Sequence, residues 1–163
     1  MPTPTDDFDR RVLDDVDRHG WSLVLVPDED DSPPFAFTVG LFHKFQHPEL
    51  VLVGLPLESA AGILTGAATA VRDGRGFEPG SVSEGLLEGF AETWRTVPTR
   101  MYPAYLGCAR WFYEGDAFGA IQLVYPDHEH RWPWTDGVHP GFARQQTVLE
   151  DASVPPWSLP PVP

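Results

Sequence analysis

Prolines end the apolar runs of this chain and limit the length of the elements that it can form. Pro27, Pro56 and Pro126 each follow directly on a run rich in aromatic, β-branched or leucine residues. Because proline lacks a backbone N–H and fixes φ, a strand ends or leaves the sheet where proline stands. The chain is therefore expected to build its sheet from several short strands.

The apolar spacing between the prolines predicts an alternation of helices and strands. Helical periodicity predicts helices over 6–19, 57–72, 103–115 and 142–149. Strand patterns are found over 21–26, 35–41, 50–55, 94–97 and 118–125. The range 75–89, rich in glycine and acidic residues, is expected to be a long connection.

This order predicts one α+β domain over residues 1–150. Its sheet is expected to be mixed and mainly antiparallel, packed by two or three helices, because the first strands are close enough in sequence to pair antiparallel. Residues 151–163 are expected to form a proline-rich extended or disordered tail. The short residues Ala36, Thr38 and Gly40 on one face of the 35–41 strand would allow close approach of a helix, a ligand or another backbone.

The charge balance argues against several classes of partner. The chain has 11 Lys and Arg against 24 Asp and Glu, for a net charge of −13. Nucleic acids and anionic membrane surfaces need clustered basic residues, so neither is an expected partner. The single cysteine, Cys108, excludes an intramolecular disulfide and is expected to be buried and inert, and the amino terminus lacks a signal-peptide pattern. We therefore expect a cytoplasmic protein, and the sequence leaves a homo-oligomer open.

Two clusters of histidine and acidic residues are candidate sites. In the first, His43 and His47 would share a face in a helical turn, and Glu49 would supply a third ligand or orient an imidazole. Pro48 disfavours helical geometry at His47, so the alternative is two loop histidines beside a strand. The second cluster is Asp127, His128, Glu129 and His130, which suits a metal or acid–base chemistry, or else a polar hairpin tip.

Aromatic residues near arginines are candidates for a pocket. Tyr102 near Arg110, and Trp132 with Trp134 near Arg131, would bind a planar or anionic ligand. The alternative is that these rings form part of the core, since aromatic side chains dominate burial energetics.

Short motifs follow one another in a distinctive order from Arg11 to Glu150. They are Gly20-Trp21, Phe37-Thr38-Val39-Gly40-Leu41, His47-Pro48-Glu49, Gly54, Gln122, Pro126-Asp127, Pro133-Trp134 and Gln145. Their order and spacing resemble the bacterial, uncharacterised family called domain of unknown function 4262. The resemblance implies no established activity. It marks as matching positions Thr38, His47, Glu49, Gln122, Asp127 and Trp134, whereas His43, His128 and His130 lie outside the pattern.

These observations support three hypotheses. The first is a small-molecule site, either purely binding or a cofactor-free acid–base enzyme of bacterial specialised metabolism. His47 would be its acid–base group, Glu49 the orienting carboxylate, and Asp127 a further catalytic residue. Its ligand contacts would come from Thr38, Gln122, Trp132, Trp134, Tyr102 and Arg110.

The second hypothesis is a non-catalytic acidic interaction protein of the immunity or regulatory type, supported by the net charge and the proline-rich tail. The third is a metal-dependent enzyme that uses both histidine clusters. His43, His128 and His130 lie outside the family pattern, which argues against the metal hypothesis. We therefore assign no metal ligand. The sequence leaves the identity of any cofactor unknown.

Overall fold

Six short strands form one sheet in the computed structural model, which describes residues 1–155. The strands are β1 (Ser22–Val26), β2 (Phe35–Val39), β3 (Glu49–Val53), β4 (Val82–Leu87), β5 (Phe90–Thr96) and β6 (Ala120–Val124). Their order across the sheet is β1-β2-β3-β6-β5-β4. Every neighbouring pair is antiparallel except β3 with β6, which is parallel. This arrangement confirms the predicted single-domain α+β fold with a mixed, mainly antiparallel sheet.

Six helices accompany the sheet within the described residues. They are α1 (Asp7–His19), α2 (Leu41–Phe45), α3 (Leu57–Arg72), α4 (Tyr102–Tyr105), α5 (Gly107–Tyr113) and α6 (Pro140–Gln145), with a 3₁₀ turn at Thr99–Met101. The two long helices agree with their sequence patterns. Asp6 caps α1, and Gly20 ends it in the left-handed conformation.

Helices cover both faces of the sheet. On one face α3 packs across β1, β2 and β3, and its alanines Ala60, Ala67 and Ala68 lie in the same core as Ala36. On the other face α1, α4 and α5 pack against the alternate side chains of the strands, such as Phe37. Strand β3 is buried along its whole length, because it lies in the middle of the sheet with helices on both sides.

The small residues of β2 admit helices and a buried carboxylate. Ala36 is fully buried in the core beneath α3. A Cβ atom on Gly40 would lie 2.8 Å from a methyl carbon of Val16 in α1, so glycine allows α1 to approach. Thr38 is hydrogen-bonded to Glu49. The close approach that the sequence predicts is therefore made by elements of the fold itself.

Four segments differ from the sequence prediction. The predicted strand 35–41 ends at Val39 and is followed by α2, and the predicted helix 142–149 is found instead at Pro140–Gln145.

The predicted connection 75–89 contains β4, an exposed edge strand whose pairing with β5 is irregular around Gly85. Edge position and a glycine interruption remove the apolar alternation that identifies a strand. The predicted helix 103–115 is instead broken into α4 and α5 at Leu106, whose backbone leaves the helical region.

The prediction of an extended tail falls largely on residues 156–163, which lie outside the described residues. Within residues 1–155, no helix is both long enough and apolar enough to cross a membrane.

Candidate functional site

The parallel pairing of β3 and β6 separates the two predicted clusters. Glu49 is the first residue of β3 and pairs with Ala120, the first residue of β6. Asp127 lies beyond the far end of β6, so five residues of strand, about 16 Å, stand between them. The predicted site that combines His47, Glu49 and Asp127 is therefore not formed. An antiparallel pairing would have placed the start of β3 beside the end of β6, and the sequence does not reveal which pairing is made.

Glu49 is a fully buried carboxylate that ties three elements together. Its oxygen Oε1 accepts hydrogen bonds from the Thr38 hydroxyl at 2.8 Å and from the Leu41 amide at 3.2 Å. Its Oε2 accepts from the amides of Gly40 and Phe42 and from the Tyr113 hydroxyl. The carboxylate thus caps the amino terminus of α2 and joins it to β2 and α5. All five donors belong to the fold, which indicates a structural role.

Burial dominates the protonation behaviour of this group. Desolvation raises the pKa of the Glu49 carboxyl above its ordinary value, and the hydrogen bonds from Tyr113, Thr38 and the backbone amides only partly oppose the change. The pKa of the Tyr113 hydroxyl is also raised, first by burial and then by the neighbouring carboxylate. The Tyr113 hydroxyl therefore stays protonated and donates a hydrogen bond to Glu49.

The raised pKa of Glu49 predicts a pH dependence of stability. The folded chain holds the proton more tightly than the unfolded chain, so the contribution of this group is complete below the ordinary pKa of 4.5. It declines as pH rises through the folded pKa. We expect the difference in unfolding free energy between the wild type and Glu49→Gln, measured by urea unfolding, to shrink as pH rises above about 4.5. A difference that grows with pH would show that the donors outweigh burial.

His47 is held by backbone groups and is not oriented by Glu49. Its Nε2 accepts a hydrogen bond from the Phe77 amide at 3.0 Å, and its Nδ1 lies 2.8 Å from the Pro48 carbonyl oxygen. An accepting Nε2 requires the tautomer in which Nδ1 carries the proton and donates it to Pro48. Within residues 1–155, no hydrogen bond joins His47 to Glu49. The imidazole anchors the segment that follows α3.

Gln122 and Tyr102 are also occupied within the fold. The fully buried Gln122 donates to the Thr147 carbonyl at 2.8 Å and accepts from the Leu149 amide at 2.9 Å, so it fixes the C-terminal segment to β6. Tyr102 is buried, and its hydroxyl donates to the Phe118 carbonyl at 2.7 Å. These two side chains support the core rather than an open pocket.

The remaining predicted ligand contacts have partners within the fold. Arg110 pairs with Asp116 at the surface. Trp132 and Trp134 stack with their ring centroids 5.9 Å apart, and the Arg95 guanidinium lies 4.1 Å from the centre of the Trp134 ring.

Half-buried Cys108 has a pKa that burial raises to about 11, so its thiol stays protonated at neutral pH.

Asp127 shapes the turn that follows β6. Its Oδ1 accepts from the amides of Glu129 and Arg131, both at 2.9 Å, and its Oδ2 accepts from Arg131 Nε at 3.0 Å. Desolvation opposes ionisation, but these hydrogen bonds outweigh it and lower the pKa of the Asp127 carboxyl. The ionised carboxylate therefore fixes the turn, which forms one wall of a cleft.

This cleft, which we call the α3 cleft, lies between α3, the β4–β5 hairpin, the turn after β6, and α6. Its volume is about 880 Å³, within the range of small-molecule pockets. It opens beside the carboxyl ends of the parallel strands β3 and β6, where open sheets containing parallel strands commonly bind ligands. Its apolar wall is formed by Leu55, Ile63, Leu86, Leu87, Phe90 and Phe142.

Two features of the α3 cleft point to a ligand. Tyr125 lines it, is 8% exposed, and has a buried hydroxyl without a hydrogen-bond partner among the described residues. Burial of an unpaired hydroxyl costs free energy that a bound polar group would recover. Gly62, in the middle of α3, also lines the cleft, and a Cβ atom added there would meet nothing within 4 Å. Glycine costs a helix interior about 1 kcal/mol relative to alanine, and here it leaves the cleft open.

Most residues of the α3 cleft were not identified from the sequence. Asp127, His128 and Glu129 belong to a predicted cluster, but Gly62, Phe90 and Tyr125 do not. A glycine inside an otherwise regular helical pattern is the one signal that could have found Gly62. Strand β4 carried no recognisable pattern, so the wall that it forms could not be anticipated.

A metal centre finds no support in the arrangement of side chains. Within residues 1–155, no three His, Cys, Asp or Glu side chains are grouped so that they could hold a metal ion. His128 and His130 instead pack beside the Phe90 ring, with centroid distances of 6.3 and 4.8 Å. The two histidine clusters of the metal hypothesis lie at opposite ends of β3 and β6.

Comparison with known proteins identifies a family without a described activity. Searches of curated proteins and of solved structures found no significant match. The family model described as "Domain of unknown function (DUF4262)" matches residues 15–139, which is most of the chain and includes the turn after β6. The chain therefore belongs to the DUF4262 family.

Proposed function

We propose that this protein binds a small molecule with an apolar body in the α3 cleft. The observation that carries the proposal is an open cleft of about 880 Å³ lined by Tyr125, whose buried hydroxyl has no hydrogen-bond partner among the described residues. A mainly apolar wall with a few polar groups is the usual composition of a ligand pocket. We propose binding alone and assign no catalytic role to His47 or Glu49. The polar atoms of His47, Glu49 and Gln122 are hydrogen-bonded to other groups of the protein.

The polar groups of the α3 cleft would orient the ligand. Ser59 and Gln145 line the cleft together with Tyr125. The Gln145 side-chain amide donates to the Gly54 carbonyl at 2.5 Å, which holds this residue at the inner end. A ligand hydroxyl, carbonyl or amide placed here would provide the partner that the Tyr125 hydroxyl lacks.

An NMR titration would test this proposal. Isotope-labelled protein would be titrated with one- and two-ring aromatic fragments while the backbone amide shifts are recorded. We expect the changes to cluster around Gly62, Leu86, Leu87 and Phe90. Changes confined to the exposed Trp134 surface, or no changes at millimolar concentrations, would contradict the proposal.

Replacing Tyr125 by phenylalanine should stabilise the free protein. The change keeps the ring and removes a buried hydroxyl without a partner, so we expect the unfolding free energy to rise by about 1 kcal/mol. Tyr102→Phe is the matched control, because the Tyr102 hydroxyl has a carbonyl partner and its loss should destabilise by a similar amount. Urea unfolding measures both variants. A destabilised Tyr125→Phe variant would mean that its hydroxyl is already satisfied in the free protein.

A further inference from the structure

The charges around the α3 cleft define the kind of ligand that it would accept. Four carboxylates line it, from Glu58, Glu88, Asp127 and Glu129. Among the described residues that line the cleft, Arg131 is the only lysine or arginine. The whole chain is also strongly acidic, with a net charge of −13. The potential at the mouth of the cleft therefore favours a positive charge.

Arg131 forms its ion pairs with two of these same carboxylates. Its Nε donates to Asp127 at 3.0 Å, and its Nη2 lies 3.3 Å from a carboxylate oxygen of Glu129. Its Nη1 donates to the Gly137 carbonyl at 3.2 Å. The positive charge of Arg131 is therefore already paired with Asp127 and Glu129, which leaves Glu58 and Glu88 without a basic partner among the residues that line the cleft.

Glu58 and Glu88, in contrast, have side chains without an ion pair or hydrogen bond to any other described residue. Glu58 lies in the first turn of α3, where its charge complements the positive end of the helix dipole. An anion at this end would meet that carboxylate. Glu88 lies at the tip of the β4–β5 hairpin, on the other side of the cleft.

Glu92, close to Phe90 in sequence, is a second buried side chain that has an atom without a hydrogen-bond partner within residues 1–155. Glu92 is fully buried and follows Phe90 by two residues on β5, so both point to the same face, about 7 Å apart along the strand. One carboxylate oxygen of Glu92 accepts from the Ser83 hydroxyl, whereas the other has no partner among the described residues.

We propose that the ligand of the α3 cleft is an organic cation, an amine attached to an apolar or aromatic body. The apolar part would lie against Ile63, Leu86 and Phe90, and the ammonium group would face Glu58 and Glu88 at the mouth. This inference rests on the proposed function, since it specifies the chemical class of the ligand for the same cleft.

Three probes with one ring system and different charges test this inference. Tryptamine is a cation, skatole is uncharged and indolepropionate is an anion. The titrations would be made at about pH 8, where the amine of tryptamine keeps its proton. We expect tryptamine to bind at least tenfold more tightly than indolepropionate, with skatole between them.

Charge variants show whether the carboxylates of the cleft cause the preference for the cationic probe. Glu58→Gln and Glu88→Gln should each weaken tryptamine binding about threefold and leave skatole binding unchanged, as expected for partly exposed ion pairs. Glu114→Gln is the control: it changes the net charge equally but lies at the end of α5, on the other face of the sheet.

The outcomes separate the two proposals. Equal binding of the three probes in the cleft, or tighter binding of indolepropionate, would overturn the cation inference and leave the proposed function standing. An equal loss of tryptamine binding in Glu114→Gln would also overturn the inference, because only the net charge would then matter. If none of the probes shifts the cleft amides, both proposals are contradicted.

Discussion

Replacing Glu49 by glutamine should lower the free energy of unfolding by about 3 kcal/mol, although the two side chains have nearly the same volume. Each oxygen of the Glu49 carboxylate accepts at least one backbone N–H: Leu41 donates to Oε1, and Gly40 and Phe42 donate to Oε2. Whichever way the glutamine amide is turned, its NH₂ group faces an N–H donor. At least one buried donor then loses its acceptor, at the amino terminus of α2 where no other acceptor is provided.

The control for this variant is an exposed glutamate. Glu84→Gln, on the edge strand β4, makes the same chemical change at an exposed position and should alter stability by less than about 0.5 kcal/mol. Urea unfolding at neutral pH, followed by tryptophan fluorescence, measures both. If Glu49→Gln is as stable as the wild type, Glu49 is not a structural carboxylate, and an acid–base role for it would regain support.

Replacing Gly54 by alanine should destabilise the protein by more than about 3 kcal/mol, through two separate effects. The backbone of Gly54 has a φ of +95°, which an L side chain adopts only with strain. The new Cβ atom would also lie 2.3 Å from the Gln145 carbonyl oxygen and 2.9 Å from the Tyr125 hydroxyl. The C-terminal segment would have to move away from the end of β3.

Gly80 offers a matched control for the backbone strain without the steric contact. Its φ is +84°, but a Cβ atom there would meet nothing within 4 Å. Gly80→Ala should therefore cost only the conformational strain, about 1–2 kcal/mol. The difference between the two variants in a urea unfolding series measures the steric contact with Gln145. Equal losses in the two variants would show that the C-terminal segment is not closely packed on Gly54.

Local patterns in the sequence predict the elements well where one face is apolar over several turns or pleats. α1 and α3 were predicted within one residue at each end, because their apolar stripes are regular and Gly20 and Pro56 mark their limits. The strand β4 was missed because an exposed edge strand needs no apolar alternation. The interruption at Leu106 depends on tertiary packing that no local signal reports.

The relative positions of the candidate residues could not be predicted from the sequence. The strands β3 and β6 are neighbours, as a shared site would require. Because they are parallel, His47 and Glu49 lie at one end of the pair and Asp127 lies at the other. The family resemblance marks Thr38, Glu49 and Gln122 as matching positions, and the structure buries all three in strands of the sheet. Their partners, such as the Phe42 amide and the Thr147 carbonyl, are backbone groups, and sequence patterns do not reveal such pairs. The α3 cleft is formed by segments distant in sequence, and this explains why most of its wall was missed.

The measurement that tests the account most directly is the affinity of the tightest-binding aromatic fragment for the wild type, Gly62→Leu and Gly107→Leu. A leucine at Gly62 projects into the α3 cleft, and one at Gly107 stands exposed on α5, on the other face; neither Cβ atom would meet another atom within 4 Å. Leucine favours the helix over glycine, so neither variant should lose stability. We predict that Gly62→Leu weakens binding more than about tenfold, by filling the space that the ligand needs, while Gly107→Leu binds as the wild type does. Unchanged affinity in a folded Gly62→Leu variant would contradict the assignment of the α3 cleft as the binding site.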